Sequence, residues 1–168
     1  MLQRYFIRLL GTVSACALLA GNAQALTITG GVGTSTTGTG VTGIGNQCLE
    51  IGGVASTAPV TPVHSWDCDG GLNQIWIVTN GQIQRSHNGA FTCLEVANGS
   101  THAGAKVQLN YCKPGSAAHQ EWTINQKGEI VGVASGLCLD WGLGYYQNGV
   151  QLGVEPCNGT PEQQFWLR

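Results

Sequence analysis

Apolar and polar residues alternate over short runs in the second half of the chain, as in Val107-Gln108-Leu109. Residues typical of turns, above all glycine, separate these runs about every 8 to 12 positions. No stretch after residue 40 carries the 3.6-residue period of an amphipathic helix. The pattern therefore predicts an all-β fold of short antiparallel strands.

The same pattern occurs three times. Gln-x-Trp appears in "NQIWIV", "HQEWTI" and "QQFWLR", so that Trp76, Trp122 and Trp166 lie 46 and 44 residues apart. Each unit begins with Cys-Leu-acid, passes through a turn into an extended run and ends on Gln-x-Trp. Units of this length cannot each bury a core alone. We predict that they close around a pseudo-threefold axis, with these three tryptophans in a shared core.

Six of the seven cysteines follow the same period, and Cys16 lies outside the repeats. The repeated pairs are Cys48 with Cys68, Cys93 with Cys112, and Cys138 with Cys157, separated by 20, 19 and 19 residues. Six cysteines allow 15 connectivities, but the nearly equal spacing favours one local disulfide in each unit. Each would stabilise the fold by about 3 kcal/mol. A zinc site fits poorly, because no Cys-x2-Cys occurs and the histidines are scattered, so we predict no metal and no cofactor.

Residues 1–25 have the features of a secretory signal peptide. Arg4 and Arg8 precede an apolar run, which ends before Ala23-x-Ala25, a sequence suited to cleavage. An uncleaved N-terminal helix is one alternative, and lipid attachment at Cys16 is another. We expect cleavage after Ala25 and a secreted, extracellular or periplasmic protein.

The remaining chain divides into a leader and one domain. Residues 26–39 are rich in Gly and Thr and lack the Lys of a phosphate-binding loop, so we predict a flexible leader. Residues 40–168 contain all three units and form the predicted domain.

The charge excludes two classes of partner. Removal of the signal takes two of the seven basic residues, leaving five against nine acidic residues and a net charge of −4. Nucleic acid and acidic membrane surfaces require clustered Lys and Arg, so neither is an expected partner. The apolar run of the signal is too short to span a bilayer, and membrane insertion is not expected.

Three Cys-Leu-acid motifs, three cysteine pairs and three Gln-x-Trp motifs between about residue 40 and residue 168 resemble the ricin B-type lectins. These are β-trefoil proteins, which also serve as carbohydrate-binding modules of glycoside hydrolases. The resemblance implies a β-trefoil with one disulfide in each repeat and shallow galactose-type pockets. In the family, the acid binds vicinal sugar hydroxyls, an aromatic two residues before the second Cys stacks on the sugar, and Asn before the Gln binds another hydroxyl.

Transferred to the first unit, the resemblance implies a pocket of five residues. They are Glu50, His64, Trp66, Asn73 and Gln74. The unit departs from the family pattern in having Glu for Asp and His for Gln, and the longer Glu places its carboxylate differently toward a sugar.

The third unit keeps part of the pattern. Its implied site residues are Asp140, Gln151, Gln163 and Gln164. Glu155 lies two residues before Cys157, so the stacking ring would come from the loop, from Trp141, Tyr145 or Tyr146. The second unit has Glu95 and Gln108, but Asn110 lies at the ring position with Tyr111 beside it, and His119 replaces Asn. We interpret the second unit as a degenerate scaffold repeat.

The resemblance implies a non-catalytic, secreted protein that binds galactose- or xylose-type sugars on glycans or polysaccharides. Hydrolysis would need two carboxylates about 5 to 10 Å apart, whereas Glu50, Glu95 and Asp140 belong to different units. The alternative is a protein-binding trefoil, such as an inhibitor or a toxin accessory subunit, with decayed sugar sites. An exposed Trp66 beside Glu50 favours the lectin. Two glycan sequons, at Asn98 and Asn158, predict exposed loops.

Overall fold

A computed structural model describes residues 25–30, 47–52, 60–87, 90–115, 117–142 and 147–167. Within these ranges the chain forms twelve β-strands and four 3-10 turns. The strands are β1 (Ala25–Gly30), β2 (Gln47–Ile51), β3 (Thr61–Asp67), β4 (Ile75–Thr79), β5 (Gln82–His87), β6 (Ala90–Val96), β7 (Val107–Tyr111), β8 (Trp122–Ile124), β9 (Ile130–Gly132), β10 (Cys138–Asp140), β11 (Gly153–Glu155) and β12 (Phe165–Leu167). The turns are Leu72–Gln74, Ala97–Gly99, Ala118–Gln120 and Pro161–Gln163. No helix within the described ranges is long and apolar enough to cross a membrane.

The strands divide into three units of four, which confirms the predicted all-β, threefold-repeated fold. Unit 1 contains β1 to β4, unit 2 contains β5 to β8, and unit 3 contains β9 to β12. One sheet has the order β12-β1-β2-β3-β7-β6-β5-β4, with β1 also paired to β4, and the other has the order β11-β10-β9-β8. The second and third strands of each unit pair as an antiparallel hairpin.

The three hairpins contact one another in a closed cycle. Unit 1 pairs with unit 2, unit 2 with unit 3, and unit 3 again with unit 1. The pairs are Thr61 with Leu109, Lys106 with Gly153, and Gln151 with His64. Since every hairpin borders both others, no unit is terminal in this layer, and the pseudo-threefold arrangement follows.

The core is built from equivalent residues of the three units. Leu49, Leu94 and Leu139, which follow the first Cys of each unit, are fully buried. Trp76 and Trp122 are also buried, and their indole N–H groups donate to the backbone carbonyls of Leu49 (3.0 Å) and Leu94 (2.9 Å). A buried indole N–H needs an acceptor. These bonds therefore fix each motif tryptophan against the strand that carries the acid.

The third aromatic of the core is not the predicted one. Trp166 is 43% exposed, whereas Phe165 is 2% exposed and stacks on Trp141, with ring centroids 5.1 Å apart. The third motif is therefore Gln163-x-Phe165, one residue earlier than Gln164-x-Trp166. Successive side chains of a strand point to opposite faces, so this shift turns Trp166 outward, and its predicted place in the core is wrong.

All three predicted disulfides are present. They join Cys48 to Cys68, Cys93 to Cys112, and Cys138 to Cys157. Each joins the first strand of a hairpin to the segment just after its second strand, so each unit is closed by its own covalent bond, as the nearly equal spacing predicted.

The first strand lies where the sequence predicted a flexible leader. β1 pairs with β12, β4 and β2, so residues 26–30 are part of the sheet and not a free segment. The alternating sequence Leu-Thr-Ile-Thr suits such a strand, but its role depends on pairing with strands distant in the chain. Residues 31–39 and the signal sequence up to residue 24 lie outside the described residues, and cleavage after Ala25 stays a prediction.

Candidate functional site

The outer face of each hairpin carries the acid of the Cys-Leu-acid motif. In unit 1, Glu50 lies directly opposite His64, and Trp66 follows two residues later on β3. Residues two apart on a strand share a face, so these three side chains lie together. Leu49, which precedes Glu50, and Ser65, which lies between His64 and Trp66, are buried on the other face.

A buried glutamine fixes this acid. The Gln74 amide nitrogen donates to the Glu50 carboxylate (2.8 Å) and to the Asp67 carbonyl (2.8 Å). The Gln74 amide oxygen accepts the backbone N–H of Asp69 (3.0 Å). Asp67 and Asp69 flank Cys68, so the amide joins the acid, the turn and the chain around the disulfide.

Units 2 and 3 repeat these contacts. We call Gln74, Gln120 and Gln163 the clamp glutamines. Gln120 binds the Glu95 carboxylate (2.9 Å), the Tyr111 carbonyl (3.0 Å) and the Lys113 N–H (2.9 Å). Gln163 binds the Asp140 carboxylate (3.0 Å), the Pro156 carbonyl (3.0 Å) and the Asn158 N–H (2.8 Å). This network explains why Gln precedes each core aromatic by two residues.

The clamp glutamines are fully buried. Gln74 and Gln163, which the resemblance placed in the sugar pockets, therefore have no exposed surface and donate to the acids. Gln164 is only partly buried and donates to the Gly159 carbonyl (3.4 Å). It lies outside the network around Asp140.

Unit 1 presents an acid, an imidazole and an indole. Glu50 is 8% exposed, and no donor among the described residues bonds its second oxygen, Oε1. Burial lowers the pKa of the His64 imidazole, and the nearby Glu50 carboxylate only partly opposes this. The ring is therefore neutral at pH 7. Trp66 is 41% exposed, so its ring offers an apolar surface to solvent.

Asn73 lies in the turn directly before the clamp glutamine of unit 1 and is half-buried. Its amide oxygen lies so close to Gly71 that a Cβ on this glycine would collide with it. The turn thus has room for Asn73 because residue 71 has no side chain. No hydrogen bond within the described part of the chain joins Asn73 to Glu50.

Unit 3 supports the tryptophan of unit 1. Asn148 accepts the backbone N–H of Asp67 (2.8 Å) and donates to the Asp67 carboxylate (3.0 Å). Next to it, Gly149 has a φ of 82°, and a Cβ there would lie 3.7 Å from the Trp66 ring. The unit 1 pocket is therefore completed by a loop from another unit, which the sequence did not indicate.

Unit 3 shows no comparable arrangement among its described residues. Asp140 lies opposite Gly153, and Glu155 lies at the ring position, opposite Cys138. The second carboxylate oxygen of Asp140 accepts the backbone N–H of Gly142 (2.7 Å). Glu155 therefore places a second acid at the position where unit 1 has Trp66.

Two further expectations for unit 3 also differ from the structure. Gln151 donates to the Val107 carbonyl (3.2 Å), so it joins unit 3 to unit 2 and does not face Asp140. The two extra residues before Cys157 shift it along the strand. Trp141 is buried in the core and supplies no open ring. Tyr145 and Tyr146 lie outside the described residues.

Unit 2 contains a cleft, although the sequence analysis interpreted it as a scaffold repeat. The cleft has a volume of about 440 Å³. Its lining residues are Val60, Glu95, Asn98, Gly99, Gln108, Asn110, Lys113 and His119. Lys113 was not identified from the sequence, although its place directly after the second Cys was a signal that could have revealed it.

Polar side chains surround Glu95 in this cleft. Its Oε1 accepts from Gln108 (2.8 Å) and Asn110 (2.9 Å), and its Oε2, bound by the clamp glutamine, lies 3.6 Å from His119. Burial alone would raise the pKa of Glu95, but the hydrogen bonds from Gln108, Asn110 and Gln120 and the charge interaction with His119 hold it below the usual value. Glu95 is therefore ionised at neutral pH.

Four rim positions around each acid differ between the units. They are the two outer positions of the third strand, the residue after the second Cys and the residue before the clamp glutamine. Unit 1 has His64, Trp66, Asp69 and Asn73; unit 2 has Gln108, Asn110, Lys113 and His119; unit 3 has Gly153, Glu155, Asn158 and Glu162. No group of three or more metal-ligating side chains occurs in the described ranges.

The sequence and structure are similar to known proteins. The sequence profile of the ricin-type beta-trefoil lectin domain matches residues 13–122 and 36–166. The designed threefold-symmetric protein ThreeFoil has a TM-score of 0.68 and 22% identity, covering 85% of this chain and 96% of that one.

Two natural proteins have the same fold. The C-half of the earthworm R-type lectin, in complex with GalNAc, has a TM-score of 0.64 and 17% identity over 86% of this chain and 97% of its own. A non-toxic homologue of type II RIPs from Momordica charantia, in complex with α-methyl-D-galactoside, has a TM-score of 0.66 and 19% identity, and the match covers 86% of this chain and 47% of that one. The profile match spans all three units, and the chain belongs to the ricin-type beta-trefoil lectin domain family.

Proposed function

We propose that this protein is a secreted, non-catalytic lectin that binds a galactose- or xylose-type sugar through unit 1. One observation carries the proposal: Glu50, His64 and the exposed Trp66 share the outer face of a single hairpin. Unit 3, the second site expected from the sequence, is left out because Glu155 occupies its ring position and Gln151 lies elsewhere.

The chemistry of unit 1 suits a neutral sugar. The open Oε1 of Glu50 accepts one or two sugar hydroxyls, while the clamp glutamine holds the other oxygen in place. The neutral His64 offers one donor and one acceptor. Trp66 packs against the C–H face of the sugar ring, as aromatic side chains do when they bury apolar surface.

The complexes of related folds support the sugar class. The earthworm lectin half binds GalNAc and the Momordica protein binds α-methyl-D-galactoside. Both ligands have a galactose configuration, for which an acid and an aromatic ring on one face provide complementary contacts.

Secretion and lack of catalysis complete the proposal. Three disulfides favour an oxidising compartment, in agreement with the signal sequence. The acids lie in separate hairpins, and Glu50 and Glu95 each bind their own clamp glutamine. This arrangement is suited to separate binding pockets rather than to a pair of carboxylates across one bond.

Binding by one shallow pocket should be weak, because few polar contacts remain after the cost of ordering. A polysaccharide with repeated sugars, or an oligomer of the protein, would raise the avidity without new contacts. We therefore expect millimolar affinity for a monosaccharide, a binding free energy of about −4 kcal/mol.

A glycan array followed by NMR titration with galactose and xylose tests the proposal. Trp66→Ala should weaken binding at least tenfold, while Trp166→Ala, which removes a tryptophan of similar exposure elsewhere, should leave it unchanged. Equal losses in both variants would refute the unit 1 site. No binding to any galactose- or xylose-containing glycan would instead favour the protein-binding alternative.

A further inference from the structure

The cleft of unit 2 differs chemically from the pocket of unit 1. Its volume of about 440 Å³ is within the range of small-molecule sites. Among the described residues, no Trp, Tyr or Phe ring lines it, and polar side chains predominate. A ligand of this cleft must therefore be recognised by hydrogen bonds and charge instead of stacking.

The carboxylate at the base of the cleft already accepts hydrogen bonds from its neighbours. Glu95 is 3% exposed and accepts hydrogen bonds from Gln108, Asn110 and Gln120. Each amide nitrogen has two hydrogens, and Gln108 and Asn110 each give only one to Glu95. No acceptor within the described ranges bonds their second N–H groups. The cleft therefore presents hydrogen-bond donors where unit 1 presents an open carboxylate oxygen.

A cation is fixed at the edge of the cleft. The backbone N–H of Lys113 is bound by the clamp glutamine of unit 2, and its ammonium group lies 3.1 Å from the His119 ring nitrogen. The equivalent residues are Asp69 in unit 1 and Asn158 in unit 3. Of the three equivalent positions, only that of unit 2 carries a positive charge.

The backbone around the cleft is unusual. Val60 has a φ of 71° and Asn98 a φ of 58°. They are two of the three non-glycine residues with positive φ in the described part of the chain, and both line the cleft. A β-branched residue rarely adopts this conformation, and such strain concentrates at binding sites.

We propose that the unit 2 cleft binds an acidic sugar, a hexuronic acid. The sugar carboxylate pairs with Lys113, and its hydroxyl oxygens accept the free N–H groups of Gln108 and Asn110. Glu95 lies at the base, where its charge is shared among its donors, while Lys113 is exposed at the edge. The ligand carboxylate therefore approaches the cation without contacting the acid. This site is separate from the neutral-sugar pocket of unit 1.

NMR titration of the Trp66→Ala protein tests this inference independently of unit 1. D-Galacturonate should shift the amide resonances of Asn98, Gly99 and Lys113, and D-galactose should bind at least tenfold more weakly. Acetate, a carboxylate without hydroxyls, should also bind at least tenfold more weakly. Failure of both galactose and xylose to bind the wild-type protein would refute the unit 1 proposal and leave this test intact.

Two lysine variants provide the matched control in the same background. Lys113→Gln should weaken galacturonate binding at least tenfold, and Lys127→Gln, at an exposed lysine that does not line the cleft, should not change it. The inference is overturned if galactose or acetate binds as tightly as galacturonate, if galacturonate does not bind, or if both variants lose affinity equally.

Discussion

Units 1 and 2 have equivalent residues in the core but different side chains around the acid. Each has a fully buried leucine, a buried indole bonded to that leucine's carbonyl, and a clamp glutamine that holds a glutamate. Around the glutamate, Asn110 of unit 2 lies at the position of the exposed Trp66 of unit 1. Lys113 of unit 2 lies at the position of Asp69. The comparison shows that the same buried contacts hold an acid in place in both units, while the side chains around that acid differ.

The state of the two acids follows from these neighbours. Among the described residues, the clamp glutamine is the one hydrogen-bond donor to Glu50, whereas Glu95 has two further amide donors. A carboxylate has about four accepting positions. Unit 1 thus keeps accepting capacity for a ligand, and unit 2 has used most of it internally.

The largest expected effect on stability distinguishes a core tryptophan from the tryptophan beside the acid. Trp122→Ala should lower the free energy of unfolding by about 3 to 5 kcal/mol, because it opens a cavity in the core. Trp66→Ala should cost about 1 kcal/mol, since much of its ring is already in contact with water. Urea unfolding of both variants, with disulfides intact, measures the difference. Similar losses in the two variants would contradict the division.

Replacing the clamp glutamines sharpens the comparison between the acids. Gln74→Met and Gln120→Met should each lower stability by about 2 to 4 kcal/mol, because buried polar groups lose their partners. Gln74→Met should also abolish galactose binding, since Glu50 loses the donor that orients it. Glu95 keeps Gln108 and Asn110 as donors, but the Lys113 backbone loses its partner, so galacturonate binding in Gln120→Met should weaken less than galactose binding in Gln74→Met. Denaturant unfolding and NMR titration give both quantities.

The pH dependence of stability tests the hydrogen bonds of Glu95. Its pKa is lower in the folded than in the unfolded protein, so its stabilisation is complete above the ordinary carboxyl pKa of about 4.3 and is lost as the pH falls through the lower folded value. Glu95→Gln should cost about 1 to 3 kcal/mol at pH 7. The difference from wild type should shrink below pH 4.3. A difference that is constant from pH 7 to pH 3 would contradict this account.

The smallest expected effect concerns the register of unit 3. Trp166→Ala should change the free energy of unfolding by no more than about 1 kcal/mol, because the side chain is 43% exposed. Phe165→Ala should cost about 3 to 5 kcal/mol, as for the core tryptophans of the other units. Thermal unfolding compares the pair. A larger loss of stability for Trp166→Ala than for Phe165→Ala would instead support the register Gln164-x-Trp166 that the sequence suggested.

The sequence predicted the frame correctly where the repeats agree. Nearly equal cysteine spacing predicted the three disulfides, and the repeated motifs predicted the three units. The sequons at Asn98 and Asn158 correctly indicated exposed loops. The prediction that Trp166 lies in the core was wrong, because two adjacent glutamines and two adjacent aromatics of unit 3 allowed two registers. A shift of one residue exchanges the faces of a strand, and only packing decides between them.

The chain by itself therefore determined the repeat, the fold class and the covalent pairing, because these depend on local alternation and on spacings that recur within each unit. Tertiary structure decided the pairing of β1, the support of Trp66 by Asn148 and Gly149, and the cleft that contains Lys113. These features join residues far apart in sequence or depend on which hydrogen bonds an acid has already made. Only the folded arrangement of neighbours fixes such contacts.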